Sequence, residues 1–181
     1  MVECLLPKQD VVGSNPITRS MEYTSKTDMG KSTSTEEQIL RSAKVIAIVG
    51  LSADRKKPSY GVAHHLQKHG YRVIPVNPRE DEILGEKSYA SLSDITVKVD
   101  VVDIFRRSDI VPEIVEDAIR IGAKVVWMQE EVINEEAAAR AHEAGLQVIM
   151  DKCMKKEHQR MCGEETLPPG VCELVSDDGL G

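Results

Sequence analysis

Five short runs of Val and Ile alternate with helix-like segments, and three of those segments stop at a glycine just ahead of the next run. These observations predict an α/β fold: a single domain with a doubly wound, mostly parallel five-stranded sheet of the Rossmann-like kind. The expected strands are 45–49, 72–76, 99–105, 124–128 and 147–150. They carry apolar residues without polar alternation, which suits strands buried on both faces.

The helices follow from spacing. A lead-in helix over 36–43 turns Ile39, Leu40 and Ala43 to the sheet, with Thr35 as N-cap and Gln38 completing a capping box. The segment 59–69 puts Val62, Ala63 and Leu66 on one side and stops at Gly70. The segment 109–121 repeats Ile110, Ile114, Val115, Ala118 and Ile121, then stops at Gly122. The segment 134–144 is capped by Asn134 and stops at Gly145; Ala137 cannot complete a capping box there. Residues 151–161 are charged and read as a short helix or cover.

The 181 residues suffice for one domain with a core. A net charge of −7 excludes general nucleic-acid binding, which needs a basic footprint. An aromatic content of 3% excludes a stacking platform for single strands. No apolar run approaches the ~20 residues that span a bilayer, and the N-terminus has no charged-then-apolar leader pattern. The expectation is a soluble, cytoplasmic protein with no nucleic-acid or membrane partner.

Domain limits follow from composition. Residues 1–34 are expected to be a disordered extension, 35–161 the folded domain and 162–181 a flexible tail with Pro168-Pro-Gly170 and Asp177-Asp-Gly179. Gly13-Ser-Asn-Pro16 is what the T-arm of a tRNA gene spells in one reading frame. The expectation is that translation starts at Met21 or Met29. Cys4, Cys153, Cys162 and Cys172 form no C-x-x-C pair, so reduced thiols are expected rather than a disulfide scaffold. A zinc set of Cys153, His158 and Cys162 is conceivable, but its spacing matches no structural zinc pattern.

In this architecture ligands lie outside the carboxyl ends of the strands, which brings together the loops 50–58, 77–81, 106–108 and 129–133. Gly50 allows a sharp turn and close approach of backbone to phosphate, and Ser52 offers a hydroxyl. Ser59, Tyr60 and Gly61 stand at a helix start, where backbone N–H groups and the dipole hold anions. The glycine spacing is not G-x-G-x-x-G. Arg55, Lys56 and Lys57 read either as phosphate partners or as a solvated loop.

Asn77 and Pro78 stand where NAD-binding units place the acid that grips ribose hydroxyls, which argues against NAD. Arg79 beside them suits a ribose phosphate, as in NADP or coenzyme A. Phe105, Arg106 and Arg107 end the third strand; the two arginines suit phosphate or carbonyl contacts, or ion pairs with Asp109 or Glu113. Trp127 reads as core or interface, and Asp151, Cys153 and His158 as rim of the cleft. His64 and His65 lack a paired carboxylate pattern, so packing or solvent roles are favoured.

From about residue 40 to 161 the chain resembles the single-domain CoA-binding proteins, which look like the CoA-binding domain of the succinyl-CoA synthetase alpha subunit standing alone. The carrying motifs are Val49-Gly-Leu-Ser52, Pro58-Ser-Tyr-Gly-Val62, Pro75-Val-Asn-Pro78, Leu84-Gly-Glu86, the run from Val99 to Arg107, Val126-Trp-Met-Gln129, and Met150-Asp-Lys-Cys153 with Glu157-His158. The resemblance implies a coenzyme A or acyl-CoA site. In it Gly50, Leu51, Ser52, Lys57, Ser59, Tyr60 and Gly61 meet the pyrophosphate, Asn77 and Pro78 flank the adenosine, and Phe105, Arg106 and Arg107 line the groove. Two departures are Glu131, where the family usually has Gly, and Lys152, where it usually has Arg.

No ATP-grasp-like segment, no Tyr-x-x-x-Lys pair and no His in a Gly-rich loop is visible. The favoured reading is a non-catalytic or regulatory CoA-binding protein, acting as a homo-oligomer or with a protein partner. The alternatives are an NADP-linked oxidoreductase, a CoA-ligase-type subunit that needs a partner, and an interaction protein with a vestigial pocket.

Overall fold

A computed structural model describes residues 34–163. Apart from Ser34, Cys162 and Gly163, the N-terminal extension and the tail lie outside these residues, as does the expected internal start. Strand β1 spans Val45–Val49 and β2 spans Arg72–Val76. A short hairpin pairs β3, Glu82–Ile83, with β4, Glu86–Lys87. Strands β5, β6 and β7 span Val101–Ile104, Val125–Met128 and Gln147–Ile149. The helices are α1, Thr35–Ser42; α2, Pro58–Lys68; α3, Val111–Arg120; α4, Glu135–Glu143; and α5, Met154–Cys162.

The main sheet has five parallel strands in the order β2-β1-β5-β6-β7. The chain leaves β1 for β2 on one side, then returns to β5 on the other. The carboxyl ends of β1 and β5 therefore flank the point where the winding reverses, and crevices open there in such sheets.

Strand residues alternate between two cores. Ala47, Val49, Val102, Ile104, Val126 and Met128 pack with Val111, Val115 and Ala118 of α3 and with Ala137, Ala138 and Ala141 of α4. Ile46, Ile48, Val101, Val125, Trp127 and Ile149 pack with Ile39 and Leu40 of α1, Val62 and Leu66 of α2, and Met154 and Met161 of α5. Burial on both faces is why the strands read as unbroken apolar runs.

The predicted elements all form, with ends shifted by one or two residues in most. The cap of α1 differs: Ser34, not Thr35, accepts the Glu37 N–H at 3.3 Å. Thr35 already has helical geometry, so only the residue before it can swing its hydroxyl back over the first turn. Asn134 caps α4 as expected, accepting the Ala137 N–H at 2.8 Å.

The hairpin between β2 and β5 has no strong sequence signature. Its two-residue turn sets Leu84 at φ 56° and Gly85 at φ 76°, the geometry of a type I′ turn. Leu at the first of these positions hides the signal that Asn or Asp would display. Its place is held from outside, by the Gln67 amide donating to the Leu84 carbonyl at 3.1 Å and by buried Ile83.

Trp127 is fully buried, and its indole N–H donates to the Lys152 carbonyl at 2.7 Å. It joins β6 to the loop after β7 and is a core residue. Trp127→Ala is expected to cost about 3–5 kcal/mol. Urea unfolding would show this as a midpoint lowered by at least about 1 M; an unchanged midpoint would contradict the packing described.

Candidate functional site

The exits of three strands are laced together by the main chain. The Gly50 N–H donates to the Val76 carbonyl and the Phe105 N–H to the Val49 carbonyl, both at 2.9 Å. Gly50 has φ +88°, and a Cβ built there would lie 2.5 Å from the Phe105 carbonyl oxygen. Both facts require glycine. The Arg106 side chain lies against the same turn.

The loop from Ser52 to α2 is built from local hydrogen bonds. The Ser52 N–H donates to the hydroxyl of buried Ser59 at 3.2 Å. The Ser52 hydroxyl accepts the Asp54 N–H, and the Asp54 carboxylate accepts the Lys56 N–H. Lys57 is the N-cap of α2 and makes no side-chain cap. Among the five described α-helices, α2 alone has no acid in its first turn. Its positive end is therefore unopposed, with Arg55, Lys56 and Lys57 beside it.

A cleft of about 970 Å³ opens beside this point, within the size range of small-molecule sites. Pro58 and Val62 of α2 line it, with Phe105, Arg106 and Arg107 after β5, the segment from Gln129 to Val132 after β6, and Asp151 and Cys153 after β7. The sequence reading placed Asp151 and Cys153 on its rim, and they lie there. His158 does not: it is fully buried behind α2.

The other candidates take different positions. Tyr60 is half-buried beside His64, with ring centroids 6.2 Å apart. Gly61 is half-buried, and a Cβ there would meet no atom within 4 Å. Close helix–strand packing is therefore not what glycine serves at this position. Leu51 has its side chain wholly in the core, so it offers a ligand only main chain. Of the sequence candidates, Phe105, Arg106 and Arg107 line the cleft, whereas Gly50, Leu51, Ser52, Lys57, Ser59, Tyr60, Gly61, Asn77 and Pro78 are outside its lining. The Asn77 amide donates to the Leu51 carbonyl at 2.8 Å, and its oxygen accepts the Arg79 N–H at 3.0 Å. In this structure Asn77 pins the β1 loop to the β2 loop. Arg107 pairs with Asp109 at 3.1 Å on the surface, one of the two alternatives read from sequence. Among the described residues no carboxylate pairs with Arg106, Arg55, Lys56 or Lys57.

The cleft is electrically divided. Its β5 wall carries Arg106 and Arg107, and its β6–β7 wall carries Glu130, Glu131 and Asp151. Glu130 is paired with Lys156 at 2.7 Å. Glu131 has φ +67°, and its N–H donates to the Asp151 carboxylate at 2.9 Å. The position thus demands a left-handed backbone, which glycine would adopt without strain. Lys152 pairs with Glu36 and ties this wall to α1.

One buried pair escaped the sequence reading. Asp103 is completely buried on β5, and its carboxylate accepts from the amide of Gln129, also buried, at 2.8 Å. Its second oxygen has no partner among the described residues. Burial pushes the Asp103 carboxyl up to about 7, against the smaller effect of the Gln129 hydrogen bond. The signal was a lone acid inside an apolar strand. The conceivable zinc set of Cys153, His158 and Cys162 does not form: Cys153 is free and lines the cleft, while Cys162 is disulfide-bonded rather than a reduced thiol as expected. Sequence spacing cannot tell which thiols a fold brings together.

Two predictions follow from this geometry. Gly50→Ala adds a left-handed φ penalty of about 1–2 kcal/mol to a main-chain clash, and its melting temperature is expected to fall by at least about 5 °C. A wild-type melting curve in this variant would refute the close approach. For Asp103 the folded state holds its proton more tightly than the unfolded chain, so stability falls as pH rises from about 4 to about 7. Asp103→Asn is expected to melt above the wild type at pH 8 and to converge with it near pH 4. Equal differences at both pH values would show that the carboxyl is not held neutral.

The comparisons agree with this architecture. The pattern of the CoA binding domain family matches residues 44–159. The uncharacterized protein YneT of Bacillus subtilis (strain 168) is 43% identical over 122 residues, covering 67% of this chain and 90% of that protein. A hypothetical protein from Pyrococcus horikoshii OT3, of known structure, matches with a TM-score of 0.70 at 43% identity, covering 73% of this chain and 93% of that one. The acetate–CoA ligase (ADP-forming) II subunit alpha of Pyrococcus furiosus is 31% identical over 120 residues, covering 60% of this chain but only 26% of that subunit. A five-stranded parallel α/β domain, matched over residues 44–159, places this chain in the CoA binding domain family.

Proposed function

We propose that the protein binds coenzyme A or an acyl-CoA, with its diphosphate at the Gly50–Ser52 turn and the start of α2, as a non-catalytic or regulatory binding protein of the cytoplasm. The observation that carries this reading is the juxtaposition of two anion-seeking features. The first turn of α2 has no acid of its own, and Arg106, free of any ion pair among the described residues, lies over the adjoining Gly50 turn. Main-chain N–H groups and an unpaired guanidinium suit a diphosphate. The open space over Gly61 lets a ligand pass close to the helix backbone. At the end of β2 the carboxylate that grips a nicotinamide dinucleotide is replaced by Asn77, whose amide is engaged with Leu51. Among the described residues no helix is long and apolar enough to cross a membrane.

A second reading is a CoA-ligase-type subunit that works with a partner chain. The likeness to the Pyrococcus furiosus subunit alpha favours it. Co-purification of a partner from the native source, together with CoA-dependent ligation by the pair, separates it from the first.

Calorimetric titration with CoA, acetyl-CoA, NADP and NAD tests the ligand. CoA or acetyl-CoA is expected to bind, and the wild type at about 100 times Kd should gain about 2.7 kcal/mol of stability. Tight NAD binding with CoA ignored would end the proposal. Arg106→Ala is expected to weaken CoA by roughly 10–100-fold, the worth of a charge-assisted hydrogen bond, and Arg107→Ala by less, since Asp109 already holds it. Gly61→Ala is expected to stabilise the free protein by about 0.5–1 kcal/mol, because alanine suits a helix better, yet to weaken CoA binding. A Gly61→Ala variant of unchanged affinity would remove α2 from the site.

A further inference from the structure

We propose that His65, His69 and His158 form a binding site for one divalent transition-metal ion of the zinc class, separate from the cleft. Helix α2 brings His65 and His69 together one turn apart, and α5 lays His158 across them. Their candidate ligand atoms all lie within 4.8 Å of one another. His65 Nε2 and His158 Nδ1 are 3.1 Å apart. A tetrahedral zinc ion with bonds of about 2.0–2.1 Å separates its ligand nitrogens by roughly 3.4 Å. Two of the three imidazoles are thus already near ligand spacing. His65 and His69 are half-buried, so their side chains have room to close the rest and leave a path from solvent.

The surroundings fit. His69 Nδ1 lies 2.7 Å from the His65 carbonyl. A carbonyl only accepts, so Nδ1 donates here and Nε2 is the nitrogen left for a metal. Metal-bound histidines are oriented by this kind of outer hydrogen bond. In the metal-free pair one of the facing nitrogens carries a proton; ligation moves that ring to its other neutral tautomer.

The donor set is nitrogen only, which favours zinc, nickel or copper over magnesium and calcium, whose ligands are oxygens. Cys162 approaches His158 Nδ1 at 3.6 Å, but its sulfur is disulfide-bonded and is not counted as a ligand. The fourth position is left to water. His65 and His69 stand 7 and 11 residues along α2 from Pro58, about 10–16 Å from the cleft end of the helix. The site does not rest on what the cleft binds.

The test uses the full chain stripped with a chelator, titrated with Zn²⁺ against a chromophoric competitor and with Co²⁺ for its spectrum. One equivalent of zinc is expected, with cobalt d–d bands and no thiolate charge-transfer band. His65→Gln and His69→Gln are each expected to weaken zinc at least tenfold, while Cys153→Ser leaves affinity unchanged. His158 is fully buried, so the half-buried pair carries the test and metal-free melting curves check folding. Failure to bind zinc stoichiometrically, equal affinity in both histidine variants, or a thiolate band would overturn the site and leave a packed histidine cluster.

Discussion

The exit of β1 is pressed against the exit of β5, and that contact governs the rest of the site. With the Phe105 carbonyl 2.5 Å from where a Cβ would sit, only glycine closes the turn. The same turn donates a main-chain bond to the Val76 carbonyl of β2 and is overlain by Arg106. Gly50 therefore joins three strand ends and brings the start of α2 to the reversal point of the sheet. A bulkier residue would push Arg106 and the loop away together, and the unopposed helix dipole would lose its neighbour.

The opposite wall is arranged by a different device. Glu131 and Asp151 both have positive φ, at 67° and 56°, and are linked by a hydrogen bond from the Glu131 N–H. This wall carries carboxylates and the other carries arginines. The division gives the cleft a direction: an anionic group is favoured beside Arg106 and disfavoured beside Glu131. An extended ligand with a charged end and a neutral end would be oriented by it.

Among the described residues two fully buried ionisable groups interrupt the apolar layers. Asp103 lies between β1 and β6 neighbours with one oxygen unpartnered, and His158 lies under Tyr71 with ring centroids 5.4 Å apart. Each costs stability when charged, since burial disfavours the ion. Asp103 is tied through Gln129 to the segment after β6 that lines the cleft, and His158 sits on α5, whose N-cap Cys153 lines it. The fold retains them where plain apolar residues would pack more cheaply.

Much of the architecture was legible in the chain. Valine and isoleucine runs, the glycines at 70, 122 and 145 and the polar cap at Asn134 are local signals, because burial on both faces and left-handed helix ends act within a few residues. Of the four expected loops, 106–108 and 129–133 line the cleft, since parallel strands send their carboxyl ends to one edge, whereas 50–58 gives it only Pro58 and 77–81 nothing. The type I′ hairpin was not, because Leu84 takes its conformation from Gln67 and Ile83, remote or buried contacts that no local pattern displays. Only the folded chain assigned Asn77 to a loop staple, Arg106 to the Gly50 turn and Gln129 to Asp103. It alone gathered His65, His69 and His158, which lie on two helices 93 residues apart at their hydrogen-bonded pair. Propensity and periodicity are encoded along the chain, whereas side-chain partnership depends on distances that exist only after the sheet has closed.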